Sequence, residues 1–264
     1  MSNPNLLSEF ANRLLAEAAA ARVNLQVADV LFLGAMGVAD PGRHFANYAN
    51  MIFNRIVSLY DDCELLLKNQ RIPAACVLAR CILETYAVGE FALSEVVKGF
   101  NNGGLKKAGE TVLAYVNSSR IKVEEQKRLK DGVFSADDYF FTPEAVARMQ
   151  NEEAVSKHIL NAMRNLFKRE MTTSSRKESM FEMIYEQLSE WTHPSQTSLF
   201  HAFAEDTWLV ETRAGKISIW DGARGACGQA MHFITAAPDL RDRMTEAAKE
   251  LSVAHDQDAA KPTF

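Results

Sequence analysis

IPAACVLARCILETYAVGEFAL, residues 72–93, is the stretch of sequence that decides the fold. Its apolar side chains extend over about six turns of helix, which is long enough to suggest a membrane-spanning segment. However, Arg80, Glu84 and Glu90 lie inside it, and each charge would cost roughly a few kcal/mol in the hydrocarbon of a bilayer. We therefore predict a helix that is buried against other helices of the protein, and no contact with a membrane.

Helical periodicity also dominates the sequence on both sides of this stretch. In the segment 44–69, for example, apolar residues follow the i, i+3, i+4, i+7 spacing of an amphipathic helix. The Asn-Asn-Gly-Gly at 101–104 predicts a break, and the apolar segment 27–38 fits either a short buried helix or an irregular segment. The predicted helices are 6–23, 44–69, 72–99, 106–130, 143–149, 152–167, one from Ser174 or Ser175 to Trp191 or Thr192, 223–235 and 238–253.

The hydrophobic period changes to two near the C-terminus. Apolar and polar residues alternate in 207–212 and again in 216–220, on either side of Arg213-Ala-Gly215, which predicts a β-hairpin. The predicted fold class is therefore all-α: a bundle of long antiparallel helices with one accessory β-hairpin near the C-terminus. The predicted organisation is an N-terminal helical segment (1–41), a helical core (42–200), the hairpin with two helices packed on that core (201–254), and a disordered tail (255–264).

Composition and motifs exclude several classes of function. The chain has 264 residues and a net charge of −5, so the molecule as a whole is not a general binder of polyanions. The basic runs 120–130 and 164–177 are candidates for a local nucleic-acid surface, although such runs are typically the solvated faces of helices. The sequence contains no P-loop, no dinucleotide-binding motif and no HExxH zinc motif.

The cysteines favour a reducing compartment. The four of them, at positions 63, 76, 81 and 227, form no CxxC pair. A zinc site or a disulfide framework would require closer and repeated spacing, so we predict reduced thiols and neither a metal nor a cofactor. The N-terminal residues lack the basic start and the apolar run of a signal peptide. The expected location is the cytoplasm.

Two charged side chains on the central helix require an explanation beyond stability. Arg80 and Glu84 are four residues apart and therefore share one face of the helix, and the positions around them are apolar. Desolvation offsets much of the attraction within a buried ion pair. The pair is therefore either part of a functional site or a structural device that fixes the register of the helix.

A second line of polar side chains is predicted on the helix that ends near residue 192. Tyr185, Ser189 and His193 recur every four residues beside the apolar face of this helix, and Pro194 predicts that the helix ends at His193. They supply a phenol, a hydroxyl and an imidazole. Because imidazole titrates near neutral pH, His193 is a candidate general acid or base. The alternative is that Tyr185 and His193 are half-buried polar caps.

Together, the two motifs resemble those of an uncharacterised bacterial family, domain of unknown function 5677. That family is similar to the HEPN superfamily of helical ribonucleases, toxins and abortive-infection proteins. The resemblance rests on Leu78-Ala-Arg80-Cys-Ile-Leu-Glu84 and on Tyr185-Glu-Gln-Leu-Ser189-Glu-Trp-Thr-His193-Pro194-Ser195, and it covers roughly residues 44–195. It implies a helical fold and a metal-independent ribonuclease that acts in phage defence or in a toxin-like stress response.

The resemblance also implies a role for each polar side chain. His193 would be the acid or base that acts at the ribose 2′-OH, and Arg80 would stabilise the charge of the phosphorane. Glu84 would orient Arg80. Tyr185 and Ser189 would orient the phosphate or the imidazole.

The sequence departs from active HEPN nucleases at one point. Those enzymes carry an Arg shortly before the catalytic His, and the corresponding positions here hold Glu186, Gln187 and Leu188. Arg80 would therefore have to replace the missing Arg from another helix.

Two hypotheses from different classes follow. In the first, the protein cleaves RNA, and the expected partners are RNA, a protein partner such as an antitoxin, and a second copy in a homodimer. In the second, the protein is a non-catalytic binding or scaffold module. The Arg, Glu, Tyr, Ser and His cluster is then a buried structural network. Exposure distinguishes the two, because a catalytic set must reach solvent.

Overall fold

The computed structural model describes residues 5–31, 40–117, 159–174, 178–195, 198–199, 209–212 and 215–260. Within these ranges the protein is predominantly helical, so the all-α class predicted from the sequence is confirmed. The helices are Asn5–Val23 (α1), Pro41–Lys68 (α2), Ile72–Asn117 (α3), Ile159–Thr173 (α4), Met180–Thr192 (α5), Ile219–Met231 (α6) and Ala237–Ala259 (α7), with a 3₁₀ turn at His232–Thr235. The predicted helix 143–149 lies outside the described residues.

Helix α3 contains the stretch that decides the fold. Pro73 occupies its first turn, where no backbone N–H is required. The break predicted at 101–104 is confined to Gly104, which adopts φ 65° and ψ −161° and kinks the helix. A left-handed φ of this kind carries little steric cost only for glycine. The predicted helix 106–130 is therefore continuous with α3 as far as Asn117, and its remainder lies outside the described residues.

Helix α3 also satisfies a membrane-span test by length and composition. Residues 72–116 contain an 18-residue window of sufficient hydropathy, and 56% of that window is buried inside the protein. The buried core helix of a soluble protein passes the same test.

The start of α5 differs from the prediction. Its N-cap is Ser179, not Ser174 or Ser175, and the Ser179 hydroxyl accepts a hydrogen bond from the Glu182 N–H at 3.1 Å. A carboxylate on α4 explains why the helix begins after Ser179. The carboxylate of Glu170 accepts hydrogen bonds from the Ser179 hydroxyl at 2.6 Å and from the Phe181 N–H at 3.2 Å. Helix α4 accordingly extends to Thr173, six residues beyond the predicted end.

Two short strands precede α6. Leu209–Thr212 (β1) and Gly215–Ser218 (β2) run antiparallel with Leu209 opposite Ser218. The predicted accessory β-hairpin is not supported beyond this four-residue pair, and its packing on the helical core stays a prediction. Ile219 and Trp220 were predicted as strand and instead begin α6, since the Ser218 hydroxyl caps the helix by accepting from the Trp220 N–H at 3.2 Å.

The chain divides into two compact units. The first comprises Met1–Asp29, Asn50–Glu90 and Ala162–Arg241. In this unit α6 packs against α1 and α5. Small residues on α6 permit close approach: a Cβ added at Gly228 would lie 3.3 Å from the Ala11 carbonyl oxygen. The indole rings of Trp191 and Trp220 lie 5.6 Å apart. Packing inside the protein therefore accounts for Trp220.

The segment between α1 and α2 is irregular where the structure describes it. Residues 25–31 form neither helix nor strand, and 32–38 lie outside the described residues. In the first unit, Asn54 fastens the segment to α2. Its amide accepts from the Ala28 N–H at 2.8 Å and donates to the Ala28 carbonyl at 2.7 Å. One side chain thus satisfies both backbone groups of a residue that belongs to no regular element.

The second unit comprises Val30–Ala49, Phe91–Asn161 and Asp242–Phe264. Asp40 accepts from the Gly42 N–H at 2.8 Å and also bonds the Ser252 hydroxyl of α7. A Cβ at Gly42 would collide with the Ala248 carbonyl, so only glycine fits here. Helix α7 runs to Ala259, five residues into the segment predicted as a disordered tail. The division of the chain at 41, 200 and 254 stays a prediction.

Candidate functional site

The candidate site begins with an ion pair on α3. Arg80 Nε donates to Glu84 Oε1 at 2.9 Å, a contact that the i, i+4 spacing allows. The two side chains are 17% and 23% exposed. The pair therefore lies at the margin of the core, where it is largely desolvated but not sealed from solvent.

Helix α5 presents two hydroxyl groups to the same guanidinium. Arg80 Nη2 donates to the Tyr185 hydroxyl at 2.7 Å, and Nη1 donates to Thr192 Oγ1 at 2.5 Å. The guanidinium carbon also lies 4.7 Å from the centroid of the Tyr185 ring, a distance suited to a cation–π contact. Arg80 thus joins α3 to α5 by two hydrogen bonds and one cation–π contact.

His193 lies beside this guanidinium at the end of α5. Its backbone leaves the helix with φ −103° and ψ 157°, and its N–H still donates to the Ser189 carbonyl. The side chain is exposed, and its Nε2 lies 3.4 Å from Arg80 Nη1. The role of this ring nitrogen in the contact depends on the tautomer of the imidazole.

The hydrogen-bonding capacity of Arg80 is nearly filled. A guanidinium has five N–H donors. Glu84 takes the donor on Nε, Thr192 takes one on Nη1 and Tyr185 takes one on Nη2. The second Nη1 donor faces His193. Among the described residues, one donor on Nη2 has no partner, so Arg80 is held in a fixed orientation and retains one free N–H.

Ser189 does not join this cluster. Its hydroxyl donates to the Tyr185 carbonyl at 2.6 Å, within α5. Thr192, which is not among the predicted site residues, contacts Arg80 instead. Thr192 follows Tyr185 by seven residues, two turns of helix, so the i, i+7 spacing was the signal available. Of the five predicted site residues, three (Glu84, Tyr185 and His193) lie around the guanidinium of the fourth, Arg80; their catalytic role stays a prediction.

Residues 46–207, well over half of the chain, match the model of a family of unknown function, DUF5677. The chain belongs to this family. Comparison with curated proteins and with solved structures found no significant match.

A second polar cluster lies within the DUF5677 match on the next turns of α3. Glu90 is buried, and its carboxylate accepts from the Tyr86 hydroxyl at 3.1 Å and from Arg169 Nη1 of α4 at 2.7 Å. The Tyr86 ring packs 4.7 Å from the Phe233 ring, centroid to centroid. This cluster accounts for the third charge of the apolar stretch. The pairing of Glu90 with Arg169 across 79 residues was missed in the sequence.

The cysteines of this DUF5677 protein are free thiols. Cys63, Cys76 and Cys227 are buried, and the Sγ atoms of Cys76 and Cys227 lie 3.6 Å apart. Hydrogen bonds with Cys63 and Cys76, together with burial, raise the pKa of the Cys227 thiol. A protonated thiol is a poor nucleophile. Among the described residues, no group of three His, Cys, Asp or Glu side chains is placed to hold a metal ion.

Replacement of Glu84 by alanine is expected to lower the free energy of unfolding by about 1–2 kcal/mol, because a hydrogen bond to a charged group is lost. The loss stays moderate since Arg80 keeps its contacts with Tyr185 and Thr192. Urea unfolding measures it. Glu64→Ala is the matched control, because Glu64 forms an i, i+4 pair with Lys68 that is more exposed, at 34% and 66% of the two side chains, and its loss should cost less than about 0.5 kcal/mol. Equal losses would contradict the burial assigned to the Arg80 pair.

Proposed function

We propose that this DUF5677 protein is a HEPN-like, metal-independent ribonuclease. One observation carries the proposal: an exposed imidazole, His193 Nε2, lies 3.4 Å from the nitrogen of a partly buried guanidinium, Arg80 Nη1. General acid–base catalysis requires a titratable group that reaches the substrate. Stabilisation of phosphorane charge requires a fixed cation beside it. The two side chains supply both at adjacent positions.

In the proposed reaction His193 moves a proton at the 2′-oxygen. Nε2 of the imidazole exchanges its contact with Arg80 for the 2′-OH, and it takes that proton while the 2′-oxygen forms a bond to the adjacent phosphorus. The bond from phosphorus to the 5′-oxygen then breaks, and that oxygen takes the proton from the imidazolium. The products are a 2′,3′-cyclic phosphate and a free 5′-OH, and no co-reactant is needed. Arg80 stabilises the added charge on the phosphoryl oxygens through its free Nη2 donor.

The remaining site residues are proposed to act through Arg80. Glu84, Tyr185 and Thr192 hold the guanidinium in one orientation, so that it need not reorganise as charge develops. Ser189 is the exception, because its hydroxyl bonds the Tyr185 carbonyl within α5 and does not contact Arg80. Donors that are already fixed stabilise a developing charge more than mobile donors do.

The cysteines and the family resemblance support a compartment, a biological role and partners for this reaction. Free cysteines, three of them buried, support a reducing compartment such as the cytoplasm. The resemblance to toxins and abortive-infection proteins supports a role in phage defence or a stress response. The same resemblance supports two partners: a protein antitoxin, and a second copy of this chain in a homodimer.

A second candidate function is a non-catalytic binding or scaffold module. The contacts that Arg80 makes with four side chains favour it, since they resemble a structural network that joins α3 to α5. In this case the cluster stabilises the fold, and the surface recruits a partner.

Incubation of the purified protein with mixed RNA in the presence of EDTA tests the proposal. The nuclease is expected to shorten the RNA and to leave single-stranded DNA intact, because DNA lacks the 2′-OH. Denaturing gel electrophoresis measures both. RNA that remains intact under these conditions would favour the binding module instead.

A further inference from the structure

A second arginine contacts α3 near Arg80, through the residue that follows Glu84. Arg55 of α2 is exposed, and its Nε lies 3.3 Å from Thr85 Oγ1. Thr85 is buried, and its hydroxyl donates to the Cys81 carbonyl at 2.6 Å. The hydroxyl oxygen therefore presents a lone pair to Arg55 and holds its guanidinium against α3 at the residue that follows Glu84.

The two guanidiniums differ in their free hydrogen-bonding capacity. Arg80 retains a single N–H without a partner. In the part of the chain that the structure describes, the two terminal amino groups of Arg55 bond no other group, which leaves four N–H donors directed to solvent. A fork of this kind matches two oxygens of one phosphate. Arg55 is therefore the better equipped of the two for a direct anion contact.

The electrostatics of Cys81 support the proximity of the two arginines. Burial raises the pKa of the Cys81 thiol and Glu84 adds to the rise, while Arg55 and Arg80 both lower it. Both guanidiniums thus act on one side chain. Glu84 forms an ion pair with Arg80, whereas Arg55 forms none with the carboxylates that the structure describes.

We propose that Arg55 binds a backbone phosphate of the substrate next to the phosphate held at Arg80 and His193. The inference rests on the proposed function and adds to it the class of ligand: a single strand that places successive phosphates along the α3 face. Arg55 contributes binding at this second position and takes no part in the chemical step.

Salt dependence of binding tests the inference. The probe is a fluorescent oligonucleotide whose riboses carry 2′-O-methyl groups, so that it binds without being cleaved, and its anisotropy is measured from 50 to 200 mM KCl. Loss of one phosphate contact from a single strand reduces the slope of log K against log salt by about 0.7. Arg55→Ala should show this reduction. The affinity at 50 mM KCl divided by the affinity at 200 mM KCl should then be about 2.5-fold smaller for the variant than for the wild type.

Two further variants separate charge from structure. Arg55→Lys retains the positive charge and should keep the wild-type slope. Arg71→Ala removes another exposed arginine, which lies just before α3, and should also keep the slope. All three variants should melt at the wild-type temperature, because these side chains are exposed.

The outcomes distinguish the inference from the function on which it rests. If the wild type binds the probe and cleaves RNA while Arg55→Ala keeps the full slope, Arg55 makes no phosphate contact and the inference is wrong. If the wild type neither binds the probe nor cleaves RNA, the proposed function fails, and the inference fails with it.

Discussion

Replacement of Arg80 by alanine is expected to lower the free energy of unfolding by about 3 kcal/mol, toward the lower end of the cost of breaking a buried ion pair. Three partners lose their donor at once: Glu84, Tyr185 and Thr192. The cost stays below that of a fully buried pair because Glu84 is 23% exposed and can be rehydrated. Urea unfolding measures the change, and the lost contacts between α3 and α5 account for it.

The same substitution should lower RNA cleavage by about 10²–10³-fold, the usual effect of removing one donor at the developing charge. Arg80→Lys serves as the control, because the ammonium keeps the charge but cannot reach three partners in a plane. It should restore part of the stability and little of the activity. The double replacement of Arg80 by Met and Glu84 by Leu should be much less destabilising than Arg80→Ala, since it removes both charges. A double variant as unstable as the single one would contradict the account of this pair.

Replacement of His193 by alanine should reduce RNA cleavage by about 10²–10⁴-fold, the range attributed to a general acid or base. The melting temperature should stay unchanged, because the side chain is exposed and lies at the end of α5. Expression of the wild type is expected to slow bacterial growth, and His193→Ala should relieve this effect.

His255 provides the control for that substitution. It lies on α7 with 38% of its side chain exposed, so His255→Ala removes a comparable imidazole elsewhere. This variant should cleave RNA and slow growth as the wild type does. If His193→Ala keeps full activity, or if the wild type has no effect on growth and His193→Ala melts at a lower temperature, the binding module is the better description.

The periodicity of the sequence was sufficient to predict most of the helices and the pair on α3. Arg80 and Glu84 share a helix face for geometric reasons that hold in any protein. The line from Tyr185 to His193 was predicted on the same grounds. Their meeting around one guanidinium depends on how α3 packs on α5, which local periodicity does not encode.

Other features depend on interactions between residues that are distant in sequence. Ser189 and Thr192 are chemically similar, but Ser189 bonds the carbonyl four residues earlier, as Ser and Thr often do within helices. Thr192 Oγ1 also donates to the Ser189 carbonyl and still accepts from Arg80. Which of the two hydroxyls contacts Arg80 therefore depends on the direction from which the Arg80 side chain approaches α5.

Helix boundaries were predicted less well where several polar residues could serve as caps. Ser179 and Glu182 form the S-x-x-E pattern of a capping box, but nearby serines compete with Ser179 in the sequence. Glu170, nine residues earlier, decides between them by bonding the Ser179 hydroxyl. Ser218 similarly ends a strand-like alternation by capping α6. A single side-chain hydrogen bond thus moved each boundary by a few residues.

Cleavage of an oligonucleotide with one ribonucleotide among deoxyribonucleotides tests the central claim most directly, namely that His193 and Arg80 cut RNA through the ribose 2′-OH. The account predicts a single cut, on the 3′ side of the ribonucleotide, that leaves a 2′,3′-cyclic phosphate detectable by mass spectrometry. His193→Ala and an all-deoxyribonucleotide strand should give no such product. An uncut chimeric strand at high enzyme concentration, or a cut at a deoxyribonucleotide, would contradict the claim.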